Sequence, residues 1–159
     1  MRIAATALAV LLLSAAGCAR AQSDGQNPTA FMAQNALAEG VKVLPSGVQY
    51  KIVKSGPANG AHPTPTDTIT VNYEGTLLNG QIFDSSFQRG KPATFELGGL
   101  VQGWIDALQE MRPGDEWIVY IPPSLGYGSE AKGPIPANSV LVFRLQLIAI
   151  NAPPVPGAG

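Results

Sequence analysis

The chain has 159 residues, 45% of them apolar and 13% charged, which is enough to fill the core of one compact domain and leaves little for a second. A formal net charge of −1 excludes the basic surface that a nucleic-acid partner demands. A single cysteine excludes an internal disulfide, and a single histidine leaves little from which to build an imidazole-based metal site or a catalytic triad.

Residues 1–21 read as an export signal. Arg2 is the positive start, and residues 3–16 form an apolar run of fourteen broken only by Thr6 and Ser14, too short to span a bilayer. The run ends in Ala15-Ala16-Gly17-Cys18, which resembles a bacterial lipobox, where small residues precede a cysteine that is diacylated and becomes the new N-terminus. Ala15 departs from that pattern, which favours Leu. Ordinary cleavage after Ala19-Arg20-Ala21 is the alternative and would discard the cysteine. Cys18 is the lipidation candidate because it falls where a lipobox cysteine stands and has no other visible role. Both routes place the mature protein outside the cytoplasm, in the bacterial envelope or periplasm, and only the first leaves a lipid, its one contact with the membrane.

Residues 22–45 form a short linker and helix. Asn27-Pro28 is an N-cap followed by proline at the first helical position, and Gly40 is a stop, which bounds a helix of about twelve residues with a weak apolar face of Phe31, Met32 and Leu37. Residues 46–151 are the domain proper. After the turn Pro45-Ser46-Gly47, the residues Val48, Tyr50 and Ile52 alternate with Gln49 and Lys51 as in a half-buried strand, and residues 55–66 form a Pro- and Gly-rich surface loop. Ile69, Val71 and Tyr73 alternate with polar neighbours in a second strand, which Asn79-Gly80 turns back into Ile82-Phe83-Asp84. Phe95-Glu96-Leu97 is a short strand. The period then becomes helical, with Val101, Trp104, Ile105, Leu108 and Met111 on one face before Pro113-Gly114. Residues 117–121 and 140–150 are the last strands, and residues 152–159 a Pro-rich tail expected to be disordered. One short helix among about five strands, joined by hairpins rather than crossover helices, gives an α+β domain whose antiparallel sheet curls over that helix.

Inventory excludes most catalytic classes. His62 sits between Ala61 and Pro63 and reads as an exposed loop residue; Gly126-Tyr127-Gly128 opens like a dinucleotide motif, but Ala131 stands where the last glycine should and no βαβ unit surrounds it. Asp84-Ser85-Ser86 offers hydroxyls with no general base to activate them. No metal, nucleotide or other cofactor is therefore expected. What remains is a concentration of aromatics at strand and loop ends: Tyr73, Phe83, Phe87, Phe95, Trp104, Tyr127 and Phe143.

The segments Val71-Asn72-Tyr73-Glu74-Gly75, Gly80-Gln81-Ile82-Phe83-Asp84-Ser85-Ser86, Gly103-Trp104, Ile121-Pro122-Pro123, Leu125-Gly126-Tyr127-Gly128, Gly133-Pro134-Ile135-Pro136 and Leu141-Val142-Phe143 resemble, in order and spacing, the FK506-binding proteins (FKBPs), a family of peptidyl-prolyl cis/trans isomerases. Glu39-Gly40-Val41 and Ser46-Gly47-Val48-Gln49-Tyr50 further resemble its bacterial exported branch, which includes the macrophage infectivity potentiators, so the likeness covers roughly residues 35 to 150. The resemblance implies a half-barrel sheet wrapped on a helix over residues 101–111, with Trp104 as pocket floor. It implies walls from Phe83, Phe95, Val101, Ile135 and Phe143 together with Tyr73, and polar groups at Asp84, the Tyr127 hydroxyl and the Val101 N–H. Tyr73, Asp84 and Tyr127 are the candidates for the catalytic work. It implies as partners proline-containing unfolded polypeptides and macrolides of the FK506 and rapamycin type. Three departures touch the rim: Ala93 stands where small cytosolic members carry an aromatic, the link from Gly98 to Trp104 is two residues shorter, and the 129–133 loop is shortened and lacks a histidine. Larger exported relatives dimerise through a long N-terminal helix, and the short helix here gives the expectation of a monomer.

The chemistry fits the inventory. Rotation about a prolyl amide has a barrier of about 18–20 kcal/mol because twisting destroys C–N resonance, so neither nucleophile nor metal is required. The rival reading is an envelope chaperone that holds unfolded chains in the same groove. A packing domain without a site would leave a buried Asp84 and the clustered aromatics unexplained.

Overall fold

The computed structural model describes residues 27–151, so the expected signal, Cys18 and the tail lie outside the described residues. In chain order the elements are α1 (Pro28–Asn35), β1 (Val41–Val43), β2 (Gln49–Lys54), β3 (Thr68–Thr76), β4 (Ile82–Ser85), α2 (Ser86–Arg89), β5 (Ala93–Glu96), α3 (Gln102–Leu108), β6 (Glu116–Ile121) and β7 (Leu141–Asn151). The strands make one open sheet in the order β1-β2-β6-β7-β3-β4, and β5 also pairs with β3. Every pairing is antiparallel, as hairpin connections require. The domain is the α+β, FKBP-like fold expected, with seven strands rather than about five.

The extra strands have simple causes. β1 is three residues long, too short to carry a period, and exists because Val41 and Val43 pair with Lys51 and Gln49 of β2. β4 and β5 share one edge of β3: residues 74–76 pair with β4 and residues 68–71 with β5. The chain between them folds into α2, a single turn that the sequence reading did not contain, capped by Ser85 and ended by Gly90 at φ 71°. β5 also starts earlier than expected, at Ala93, and Leu97 belongs to the tight turn that follows it.

α1 begins as its sequence dictates. The Asn27 side chain accepts from the N–H groups of Thr29 at 3.0 Å and Ala30 at 3.4 Å, with Pro28 directly behind it. The helix ends at Asn35 after 8 residues, because Leu37 and Ala38 donate to carbonyls three residues back and tighten the chain into turns. Leu37 therefore lies beyond the helix and is exposed, while Met32 is buried. Gln49 of β2, also buried, donates to the Met32 carbonyl at 2.7 Å and accepts from Asn35 at 2.9 Å, fastening the helix to the sheet.

α3 spans 7 residues and is capped by Val101; Met111 falls in the turn after it but is fully buried. Its inner face, Trp104, Ala107 and Leu108, joins one core with Val71, Val119, Ile121, Leu141 and Leu145 of the sheet. The 55–67 segment is tied to the end of this helix. Buried Asp115 accepts from the Gly56 N–H at 2.5 Å and the Arg112 N–H at 2.9 Å, and exposed His62 meets the Met111 carbonyl at 3.0 Å. Among the described residues no helix is long and apolar enough to cross a membrane.

Helix and sheet come closest at Gly103, where a Cβ would lie 2.5 Å from one Ile121 side-chain carbon and 2.8 Å from two others. Gly103→Ala must push α3 off β6 and should cost about 1–3 kcal/mol, read as a lower urea midpoint with an unchanged slope. An alanine variant as stable as the parent would show that this contact does not set the helix position.

Candidate active site

The sheet face opposite α3 does not close over the whole helix, and at one end a cavity of about 450 Å³ opens, within the size range of ligand pockets. Trp104, in the first turn of α3 and 4% exposed, is its floor. Three rings meet the indole: Phe143 of β7 at 5.1 Å and 89°, Tyr73 of β3 at 5.2 Å and 76°, and Phe95 of β5 at 5.9 Å and 83°. Near-perpendicular contacts place positive ring edges against negative ring faces. The indole and all three of these rings line the cavity.

Phe83 completes that wall. Its ring meets Phe143 edge to face at 5.5 Å and 89°. The two rings approach across Gly75, which pairs with Phe143 in the sheet. A Cβ on Gly75 would stand 2.5 Å from Phe83 and 2.7 Å from Phe143, so any larger residue would force the rings apart.

Neighbours in a regular strand point to opposite faces, yet Phe83 and Asp84 both line the cavity. A β-bulge reconciles them: Asp84 pairs with Gly75 and Ile82 with Thr76, which leaves Phe83 as the unpaired residue. Asp84 turns to Tyr73, whose hydroxyl donates to Oδ2 at 2.6 Å. Arg89 donates from Nη1 to Asp84 Oδ1 at 2.5 Å and from Nη2 to the Tyr73 hydroxyl at 2.8 Å. The Asp84 side chain is 45% exposed, so the sequence expectation of a buried carboxylate is corrected: it sits at the mouth, where the strand ends.

Arg89 arrives there through the two serines dismissed as nucleophiles. Ser85 accepts from the Gln88 N–H at 3.2 Å and donates to Glu74 at 3.1 Å, which starts the turn of α2. Buried Ser86 accepts the Tyr73 N–H at 2.8 Å. Arg89 at the end of this turn faces back over the Tyr73 ring, its guanidinium carbon 5.5 Å from the ring centre. The sequence reading missed Arg89; a serine N-cap with glycine five residues on was the signal available.

These contacts set the protonation states. Burial raises the Tyr73 hydroxyl above its ordinary pKa, and its hydrogen bond to Asp84 raises it further against the opposing pull of Arg89. Burial pushes the Asp84 carboxyl up, but the hydrogen bonds from Tyr73 and Arg89, with the guanidinium charge, outweigh it and hold the carboxyl below its ordinary value.

The far wall comes from the segment between β6 and β7. Tyr127 is half-buried and its hydroxyl makes no hydrogen bond among the described residues. Ile135, 5% exposed, is held by a tight turn in which the backbones of Lys132 and Ile135 exchange two hydrogen bonds of 2.9 Å each. Val101 lies on the near side, where its N–H has no acceptor among the described residues. All nine residues assigned to the site from sequence line this one cavity; Leu100, Lys132, Gly133 and Pro134 line it as well. Among the described residues no group of three or more His, Cys, Asp or Glu side chains comes together that could hold a metal.

Residues 59–148 match the family described as FKBP-type peptidyl-prolyl cis-trans isomerase, and residues 12–52 match the domain described as amino-terminal to it. The chain is 46% identical over 129 residues to peptidyl-prolyl cis-trans isomerase Mip of Coxiella burnetii, covering 80% of this chain and 55% of that protein. It is 43% identical over 133 residues to the outer membrane protein MIP of Legionella longbeachae, covering 83% and 56%. The chain thus spans about half the length of the curated relatives it matches. The crystal structure of FkpA from Escherichia coli superposes with a TM-score of 0.75 at 37% identity, over 80% of this chain and 59% of that one. A peptidyl-prolyl cis-trans isomerase structure from Pseudomonas syringae superposes with a TM-score of 0.72 at 35% identity, over 78% and 90%. The matched span contains every residue of the cavity, from Tyr73 to Phe143, and the chain belongs to the FKBP-type peptidyl-prolyl cis-trans isomerase family.

Proposed function

We propose that this protein is a peptidyl-prolyl cis/trans isomerase that acts on X-Pro bonds of exported polypeptides and assists their folding. The observation that carries the reading is an aromatic cavity of about 450 Å³ over an indole floor, with the Tyr127 hydroxyl and the Val101 N–H free of hydrogen bonds at its rim among the described residues. Amide rotation asks for that and little else. The planar amide owes its barrier to charge-separated resonance, which an apolar cavity disfavours relative to water. The proline ring rests on Trp104 between Phe83, Phe95 and Phe143.

Counting donors assigns the remaining roles. The Tyr73 hydroxyl is spent on Asp84 and receives Arg89, and both Asp84 oxygens are occupied. Tyr127 O–H and Val101 N–H are unspent donors, as is the Lys132 ammonium, and the first two hold the substrate carbonyl while the C–N bond turns. Tyr73, Asp84 and Arg89 act together as a rigid polar rim whose geometry favours the twisted amide over the planar one. FK506-type and rapamycin-type macrolides would fill the same cavity. The envelope location rests on the leader-like residues 1–21, with Cys18 as the acylated residue, and on the outer-membrane name of the Legionella relative.

With Asp84 held below and Tyr73 above its ordinary value, neither changes charge between about pH 5 and 9. The carboxylate contribution is lost only as the pH falls through the lowered Asp84 value, and the Tyr73 proton only above about pH 10. Turnover of a neutral X-Pro peptide should therefore be flat across that window and insensitive to EDTA; a bell-shaped profile, or metal-restored activity after chelation, would falsify the reading.

Two substitutions separate the wall from the rim. Phe83→Ala should weaken macrolide and substrate binding by about 2 kcal/mol, some thirtyfold. Asp84→Leu keeps the volume but releases Tyr73 and Arg89, so turnover should fall at least tenfold while the thermal midpoint moves little, since the ion pair is largely solvated. If both variants fold and turn over a small peptide at the parental rate, the catalytic pocket assigned here is wrong, and holding of unfolded chains becomes the better reading of this groove.

Intact mass of the protein from bacterial envelopes tests the anchor. A chain starting at diacylated Cys18 is expected; one starting at unmodified Gln22 would remove the lipid and leave export standing.

A further inference from the structure

Two charged side chains line the cavity, Asp84 and Lys132, and they differ in one respect. Asp84 is neutralised by Arg89 and hydrogen-bonded on both oxygens. Lys132 makes no ion pair among the described residues, and its Nζ lies 5.6 Å from the centre of the Tyr127 ring. The rim therefore carries one uncompensated positive charge on the wall that holds Tyr127.

That charge is held in place by the backbone. Lys132 and Ile135 form an isolated antiparallel bridge across Gly133-Pro134, with Gly133 at φ 53° and Ile135 anchored in the core. The Asn138 N–H closes the base of the segment on the Gly128 carbonyl at 2.7 Å. The turn fixes the backbone from which the flexible, exposed Lys132 side chain starts, and so keeps the ammonium within reach of the Tyr127 wall.

We propose that Lys132 makes the site select substrates with a carboxylate on the residue immediately before proline, a selectivity that rests on the isomerase reading above. With the proline ring on Trp104 and the carbonyl of the preceding residue on Tyr127 O–H, that residue's side chain leaves the cavity along the Tyr127 wall. A Glu or Asp there meets the Lys132 ammonium. A Lys or Arg meets like charge, and the one carboxylate that lines the cavity, Asp84, is already paired with Arg89.

The test compares three peptides, Glu-Pro, Gln-Pro and Lys-Pro, in a protease-free isomerisation assay on the full chain near pH 7.5. At about 10 mM ionic strength, where charges act over about 30 Å, kcat/KM for Glu-Pro should exceed that for Lys-Pro by about fivefold, with Gln-Pro between. The ratio should approach one at about 1 M salt, where the range falls to about 3 Å. Lys132→Gln should erase the preference and Lys132→Glu invert it; because these are ratios within one variant, a change in absolute rate does not disturb them. Acceleration of Gln-Pro with equal Glu-Pro and Lys-Pro rates in the parent overturns the selectivity and leaves the isomerase reading intact. A preference that survives Lys132→Glu overturns the assignment to Lys132. Failure to accelerate Gln-Pro defeats the isomerase reading, and this proposal with it.

Discussion

Everything in the cavity is positioned by the fit of α3 against the sheet. At Gly103 the helix lies so close to Ile121 that no side chain fits between them, and one residue later Trp104 is presented to three perpendicular rings. Close contact at one point makes a cavity possible beside it, because a helix pinned to β6 cannot also follow a sheet that twists away toward β4. The indole floor is thus a by-product of tight packing next door, and it is rigid for the same reason.

Polar groups around the floor fall into two sets. Tyr73, Asp84 and Arg89 satisfy one another, and Ser85, Ser86 and Glu74 behind them satisfy the turn that delivers Arg89. Such mutual satisfaction fixes geometry at little cost, since each group keeps a partner when it leaves water. The second set, the Tyr127 hydroxyl and the Val101 N–H, belongs to residues that line the cavity and lacks partners among the described residues. The isomerase proposed above would use both kinds, a rim fixed by its own hydrogen bonds and donors that are not already used.

Backbone irregularities do as much as side chains. The bulge at Phe83 lets two consecutive residues serve one cavity, and the absence of a Cβ at Gly75 lets Phe83 and Phe143 meet across the strand. On the other wall, the tight turn at Gly133-Pro134 ties buried Ile135 to Lys132 and so couples an apolar anchor to a charge at the rim. Lys132, Gly133 and Pro134 of that turn line the cavity, whereas Ala93, expected at the rim from sequence, does not.

By itself the sequence determined the class of architecture and of chemistry. Alternation in β3 and β7, the Asn27-Pro28 cap and the helical period through Trp104 depend on neighbours a few positions away, and such signals survive in a linear reading. The shortage of nucleophiles, imidazoles and metal ligands is likewise a matter of inventory. Only the tertiary structure decided where α1 stops, that β1 exists, that Asp84 lies half exposed at the mouth, that Arg89 closes on Asp84 and Tyr73, and that Lys132 lines the cavity. Arg89 meets Tyr73 from 16 positions away, and Gly75 meets Phe143 across the pairing of β3 with β7. No local pattern encodes such contacts, because they are chosen by which surfaces the folded sheet and helix leave open to one another.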